Sequence, residues 1–147
     1  MSDIDFLKSI NWIIDNLEGG DMLLKDADGY TKYGINSKAH PKISIPDLTR
    51  EQAIEVYQHY RQQSHFDEYP VKKGIMYLDC YINMQTKYAD KLVKDTGVIS
   101  MTIFLDVFTL VRIFAYLAIV NKNPPKRANL RGWLNRCKKL YDYVNEQ

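Results

Sequence analysis

A helical pattern that ends at two glycines places the strongest constraint on how this chain folds. Apolar residues recur at every third or fourth position between Ser2 and Leu17, which is the stripe of an amphipathic helix. Glu18 falls in the last turn of this helix. Gly19 and Gly20 then end it, because glycine takes the left-handed conformation of a helix C-cap at little steric cost. The sequence therefore predicts a first helix with a carboxyl group at its end and a sharp turn after it.

A short β-hairpin is predicted directly after the glycines. The residues from Met22 to Tyr33 contain two strand-like runs, separated by a polar stretch that includes Asp28-Gly29. An Asp-Gly pair between two such runs is a strong signal for a tight hairpin turn. The following residues, from Gly34 to Asp47, contain two prolines and are interpreted as a loop.

The carboxyl group of Glu18 is placed where it suits a general acid. A glycosidic oxygen leaves easily only when it is protonated as the bond breaks, so the enzyme needs a carboxyl group that keeps its proton near neutral pH. Burial raises the pKa of a carboxyl group. The partial negative charge of a helix C-terminus acts in the same direction. A carboxyl group at a helix end beside a small polar hairpin is the arrangement of a lysozyme-type active site.

The rest of the chain is dominated by helical patterns. The predicted segments are a helix that begins at the capping box Thr49–Gln52, a helical run from after Tyr69-Pro70 through Leu92, an apolar helix from about Ser100 to Val120, and a last helix with an apolar stripe from Leu130 to Val144. Together with the hairpin they predict a mainly α fold of the α+β, lysozyme-like type. With 147 residues, the chain is interpreted as a single lysozyme-like catalytic domain, residues 1–147.

One segment, Val98 to Val120, is apolar enough to suggest a membrane span. It carries Asp106 and Arg112 in its interior, and charges there are costly in hydrocarbon. We therefore interpret it as a central apolar helix buried by its neighbours in a helical bundle, and we expect no membrane insertion.

Composition excludes several classes of function. The net charge of +2, from 20 basic and 18 acidic residues, is too balanced for a nucleic-acid-binding protein. The spacing of the histidines and acidic residues in residues 59–68 fits no zinc or calcium pattern, so no metal and no cofactor are expected.

Cys80 and Cys137 each lie on an apolar helix face and are interpreted as reduced core residues. The acidic start of the chain does not look like a secretory signal, so we expect the product to stay in the cytosol unless another factor releases it.

Several blocks of this sequence resemble glycoside hydrolase family 108, the phage endolysins and related muramidases. The stretch NLEGGDMLLKDADGYTKYGI, residues 16–35, resembles the family signature, an E-G-G run followed by an acidic hairpin and T-x-[FY]-G-I. Residues 77–83 resemble a second block, with an Asp and an Asn four apart on a helix. Residues 112–116 and 132–136 resemble an Arg-rich helix and a G-W-x-x-R helix. The resemblance spans nearly the whole chain in the family's order.

The resemblance implies a peptidoglycan glycosidase that cleaves beside N-acetylmuramic acid, with Glu18 as the catalytic residue. Asp28 is the candidate second carboxylate, which would position water or stabilise the cationic transition state. Thr31 would bind a water or the substrate nearby.

Aromatic and polar side chains are the candidates for substrate binding. Tyr30 and Tyr33 are the tyrosines expected to contact sugar rings. Asp79 and Asn83, four residues apart, are expected to share one helix face and to point into a groove.

Three functions remain open from the sequence. The first is a lysozyme that hydrolyses the β-1,4 bond between N-acetylmuramic acid and N-acetylglucosamine, with Glu18 as proton donor. The second is a lytic transglycosylase that uses the same glutamate and leaves a 1,6-anhydro end. The third is an inactive wall-binding or virion structural protein on the same fold. The expected partner in each case is bacterial peptidoglycan, and a monomer is expected. The resemblance implies a location in the host cytoplasm until release to the cell wall, or in a virion.

Overall fold

The computed structural model describes residues 2–27, 29–84, 86–97 and 100–147. It divides into two compact units, one ending at His65 and the other running from Phe66 to Gln147. The first unit contains α1 (Asp3–Leu17), β1 (Leu24–Asp26), β2 (Gly29–Lys32), β3 (Ile35–Asn36) and α2 (Arg50–Gln63). The second contains α3 (Val71–Met84), α4 (Thr86–Thr96), α5 (Met101–Lys122) and α6 (Leu130–Asn145), with short 3-10 turns at Phe66–Glu68 and Pro124–Asn129.

Both helices of the first unit begin at capping boxes. The Ser2 hydroxyl accepts a hydrogen bond from the backbone N–H of Asp5, whose side chain accepts from the backbone N–H of Ser2. Thr49 and Gln52 form the same reciprocal pair at the start of α2. These pairs satisfy backbone N–H groups that have no partner within the helix. The predicted starts of both helices are confirmed.

Helices α1 and α2 contact each other. Phe6, Ile10, Ile13 and Ile14 of α1 are fully buried, whereas Ile4 and Leu7 nearer its start are exposed. At the surface, the Arg50 guanidinium donates to both carboxylate oxygens of Asp15, at 2.7 and 2.9 Å, and to the side chain of Asn11. The planar guanidinium suits such bidentate pairing and fixes how the start of α2 lies on α1.

The strands form an antiparallel sheet in the order β1-β2-β3. Lys32 pairs with Ile35, and the two residues between them, Tyr33 and Gly34, both have positive φ angles of 53° and 79°. Two such residues make the tight turn that matches the twist of a hairpin. The predicted hairpin is the antiparallel pair of β1 and β2, in which Leu24 pairs with Thr31 and Asp26 with Gly29. The turn at Tyr33-Gly34 is an additional one, and the segment interpreted as a loop from Gly34 contributes a third strand. The Tyr-Gly pair was not recognised because tyrosine rarely takes this conformation.

The second unit is an all-helical cluster in which α5 contacts α3, α4 and α6. The mainly α, lysozyme-like fold predicted from the sequence is confirmed. The run predicted after Pro70 is two helices, α3 and α4, and residue 85 between them lies outside the described residues. Cys80 and Cys137 are buried free thiols, as predicted.

Helix α5 is central to these contacts, but its neighbours cover only one side of it. Ile103, Leu110 and Phe114 are each more than half exposed. Residues 103–122 are long and apolar enough to cross a membrane by length and composition, a test that the core helix of a soluble protein also passes. The expected burial of this helix by its neighbours is thus corrected to burial on one face.

Candidate functional site

Glu18 lies at the C-terminal end of α1, in the position that the sequence predicts. Its backbone N–H donates to Ile13 O at 3.1 Å, and the N–H of Gly20 donates to Ile14 O at 2.9 Å. Gly19 and Gly20 have φ angles of +77° and +61°. These left-handed residues reverse the chain and satisfy the last carbonyls of the helix. The Glu18 side chain is half-buried at this reversal.

The backbone of Gly34 packs directly against the Glu18 carboxyl group. A methyl group added to Gly34 would lie 2.7 Å from Glu18 Oε2 and 2.5 Å from the Tyr57 hydroxyl, too close for either pair of atoms. The φ angle of +79° also favours glycine. The turn between β2 and β3 can therefore lie beside the carboxyl group only because residue 34 has no side chain.

Two hydrogen bonds hold the strained residue before Gly34. The N–H of Tyr33 donates to Gly20 O at 3.2 Å, and the Tyr57 hydroxyl donates to Tyr33 O at 2.7 Å. Tyr57 is fully buried on α2. Residues in sparsely populated conformations persist when their surroundings fix them, and they cluster at functional sites. The turn beside Glu18 is thus bonded to the end of α1 on one side and to α2 on the other.

Tyr57 also contacts a second aromatic side chain of α2. The Tyr57 ring packs edge-on against the ring of Tyr60, with centroids 5.9 Å apart. The Tyr60 hydroxyl lies 2.5 Å from His40 Nε2, and burial lowers the pKa of His40. The neutral imidazole that burial favours can accept a hydrogen bond from the hydroxyl in the tautomer that is protonated at Nδ1. His40 also lines a groove of about 460 Å³ with residues of α2.

Of the site residues predicted in the first hairpin, the structure describes Thr31 and Tyr30. Asp28 lies outside the described residues. Thr31 is half-buried in the central strand, paired with Leu24 on one side and Asn36 on the other. Tyr30 is half-buried beside it, with the Lys25 ammonium 5.3 Å from the centre of its ring. The catalytic role of Thr31 and the sugar-binding role of Tyr30 stay predictions.

Tyr33 differs from its predicted position as a sugar platform. Its side chain is only 8% exposed, and the Lys32 ammonium lies 5.3 Å from the centre of its ring. A ring this buried has little surface to offer a sugar. The contribution of Tyr33 to the site is its backbone, which forms the turn beside Glu18.

Asp79 also differs from its predicted position in a groove. It is completely buried in the second unit, where it pairs with the guanidinium groups of Arg112 and Arg136, each at 2.6 Å. These two cations hold the pKa of the Asp79 carboxyl below its usual range, against the effect of burial. Sequence spacing alone does not reveal this role, because the two arginines lie 33 and 57 residues further along the chain.

Asn83 lies one turn after Asp79 and lines an open cleft of about 440 Å³ in the second unit. Its side-chain oxygen accepts a hydrogen bond from the Tyr116 hydroxyl. Tyr116 in turn accepts from Arg112 Nε at 3.2 Å. Asn83 thus has the exposure that a binding residue needs, whereas Asp79 is the buried start of the chain of hydrogen bonds that holds it.

Sequence reasoning missed two residues of the Glu18 site. Gly34 belongs to the T-x-[FY]-G-I block, but its contact with Glu18 depends on the third strand, which the sequence did not predict. Tyr57 looked like an ordinary apolar position of α2. A buried tyrosine needs a partner for its hydroxyl, and this requirement is the one signal that pointed to a polar contact.

Comparison with known proteins shows the family to which this chain belongs. It matches the family described as Glycosyl hydrolase 108 over residues 11–84, which is half of the chain and includes both Glu18 and Gly34. The structure is also similar to that of SagA from Brucella abortus, with a TM-score of 0.78 and 19% identity, covering 99% of this chain and 96% of that one. At this identity the likeness shows the fold. A search of curated proteins finds no match.

Proposed function

Because this chain belongs to glycosyl hydrolase family 108, we propose that it is an N-acetylmuramidase of the phage endolysin type. The family supports a glycoside hydrolase acting on peptidoglycan. The proposed bond is the β-1,4 link between N-acetylmuramic acid and N-acetylglucosamine. The proposed proton donor is Glu18.

The contact between Glu18 and Gly34 is the observation that carries this proposal. A general acid must be held in one position relative to the leaving oxygen, since a misplacement of about 1 Å can cost about a hundredfold in rate. The Glu18 carboxyl is confined by the backbone of Gly34 and stays half-buried. Partial burial holds the carboxyl group in place and still leaves it open to substrate.

The reaction needs a second group once the leaving oxygen is protonated. An oxocarbenium-like centre forms, which must be stabilised and then attacked by water or by a carboxylate. We assign the carboxylate role to Asp28 and the binding of a water or a substrate hydroxyl to Thr31, whose strand ends at the turn beside Glu18. Asp28→Asn removes the charge but keeps the size of the side chain and its capacity to accept hydrogen bonds, and it should lower the rate of wall cleavage.

Lysis of purified cell walls by Glu18→Gln tests the proposal. The amide keeps the shape of the side chain but has no proton to transfer, so we expect clearing to be lost while the thermal unfolding temperature stays unchanged. Glu55→Gln, an exposed position on α2, is the matched control and should clear walls at the wild-type rate. Clearing by Glu18→Gln near the wild-type rate would refute the assignment.

A further inference from the structure

Helix α5 carries a line of apolar side chains that reach the surface. These side chains are spaced alternately by four and three residues, and they are Ile103, Val107, Leu110, Phe114 and Leu117. A repeat of 3.5 residues keeps side chains on one line along a helix, as in the contact line of a coiled coil. We call this line the α5 seam. We propose that the α5 seam packs against the same seam of a second copy of this chain, in an antiparallel dimer, in place of the monomer that the sequence leads us to expect.

The other side of α5 is buried within its own unit. Phe108 and Tyr116 are almost completely buried, and α3, α4 and α6 contact this helix. Arg112, on the same side, pairs with Asp79 of α3 at 2.6 Å. These contacts fix α5 before any partner arrives, so pairing orders only side chains and costs little backbone entropy. The α5 seam is therefore a preformed surface.

The exposed area of the α5 seam is sufficient for a weak dimer. Phe114 is 65% exposed, and Ile103 and Leu110 are each 53% exposed. With the other, less exposed apolar side chains of this face, one copy presents an apolar area of roughly 500 Å², which lies in the upper part of the range for the largest patch of a monomer. Two copies would bury roughly 1,000 Å² in total, the lower limit for a specific interface. We therefore expect association at micromolar concentrations.

The narrowness of the apolar line favours a helix over a lipid bilayer as the partner. Asp106 lies one helical turn from both Ile103 and Leu110, and its side chain is exposed. A bilayer that covered the seam would also remove this carboxylate from water, at a high cost. A helix packed about 8–10 Å away covers the seam and leaves Asp106 in water. A span across the bilayer is disfavoured as well, because it would separate Arg112 from Asp79.

The charges at the two ends of α5 favour the antiparallel orientation. Asp106 lies near the N-terminal end, whereas Lys122, Lys126 and Arg127 lie at the C-terminal end and in the turn after it, and all four are exposed. A parallel pair would bring the two basic ends side by side, where they repel each other. An antiparallel pair separates them by about 30 Å, the length of the helix, and brings each basic end alongside the acidic end of the other copy. The opposed helix dipoles add to this preference.

Sedimentation velocity of the whole chain at rising concentration tests the dimer. We expect the mass to rise from 17.2 kDa to twice that value between about 1 and about 300 µM. Leu110→Glu introduces a carboxylate near the middle of the seam and should weaken association about a hundredfold, because the residues at the centre of an interface carry most of the affinity. Leu24→Glu is the matched control, since Leu24 of β1 is a leucine of nearly equal exposure, 51%, and it should associate like the wild type. Thermal unfolding checks that both variants are folded.

The orientation is tested with a spin label attached at Ile103→Cys. Cys80 and Cys137 are buried, so the new thiol is the accessible one. In an antiparallel pair centred between Leu110 and Phe114, the two labels would lie about 30 Å apart. In a parallel pair they would lie within about 10 Å of each other, and this short distance would overturn the antiparallel orientation.

Three results would overturn the dimer itself. The first is a chain that stays monomeric over the whole range of concentration. The second is equal association by Leu110→Glu and Leu24→Glu, which would mean that the interface does not include the seam. The third is a monomer that sediments with vesicles of anionic phospholipid and loses this binding with Leu110→Glu, which would assign the seam to a membrane surface.

Discussion

The two units hold their key carboxylates in opposite ways. Asp79 is completely buried and neutralised by two arginines, whereas Glu18 is half-buried and confined by a glycine backbone. A carboxylate bound by two guanidinium groups stays ionised near neutral pH, so it holds no proton that it could donate. The comparison teaches that two guanidinium groups make Asp79 a structural carboxylate in a closed core, whereas Glu18 lies against the backbone of a turn at a partly exposed helix end.

The largest expected effect is on the stability of the second unit. Asp79→Ala leaves two arginines without their shared partner in a buried site, so we expect the free energy of unfolding to fall by about 3–5 kcal/mol. Chemical denaturation measures this change. The control is Asp142→Ala, which removes an exposed pair with Lys138 and should change stability by less than about 1 kcal/mol. Similar losses for both variants would show that Asp79 does not anchor this unit.

The next effect concerns activity and the turn beside Glu18. Gly34→Ala would push the turn away from the carboxyl group, and we expect the rate of wall cleavage to fall about a hundredfold. Gly97→Ala is the matched control, because Gly97 has the same φ of +79° and none of the described residues beyond its chain neighbours lies within 4 Å of an added methyl group. Both variants bear the same backbone strain. If both cleave walls equally well, the contact between Gly34 and Glu18 is not needed for activity.

A smaller effect is expected at the hydroxyl that holds this turn. Tyr57→Phe leaves the buried Tyr33 carbonyl without its donor, at a cost of about 1–3 kcal/mol in stability. Part of that cost should appear as a lower turnover rate, because Tyr33 and Gly34 would hold the carboxyl group less firmly. Tyr141→Phe also removes one tyrosine hydrogen bond, to Asp106 at 2.5 Å, and should leave the rate of wall cleavage unchanged. An unchanged rate for Tyr57→Phe would contradict this role.

The smallest expected effect is on how the free energy of unfolding changes with pH under acidic conditions. The pKa of Asp79 is lower in the folded chain than in the unfolded one, so its stabilising contribution is complete above the unfolded value of about 3.9 and is lost as the pH falls through the folded value. Wild-type stability should therefore decline more steeply below about pH 4 than that of Asp79→Asn. Parallel pH profiles would show that the arginines do not depress this pKa.

Local signals in the sequence were sufficient for most of the fold. Capping boxes at Ser2 and Thr49, the glycine pair after Glu18 and the apolar stripes of the helices depend on residues close together in the chain. They predicted the helices and the position of Glu18 at a helix end.

Features that depend on distant residues were not predicted. The partners of Asp79, the burial of Tyr33 and the contact of Gly34 with Glu18 join residues far apart in the sequence, and the spacing of residues along one helix carries no information on them. The third strand was missed because a tyrosine occupies a turn position that usually takes Asn or Gly.

Mass analysis of the products from purified peptidoglycan tests the central claim most directly. The account predicts hydrated fragments that end in reducing N-acetylmuramic acid, produced by the wild-type chain and absent with Glu18→Gln. Fragments with 1,6-anhydro ends, each lighter by one water, would identify a lytic transglycosylase instead. Fragments that end in N-acetylglucosamine, or unchanged products with Glu18→Gln, would contradict the proposed bond and the proposed acid.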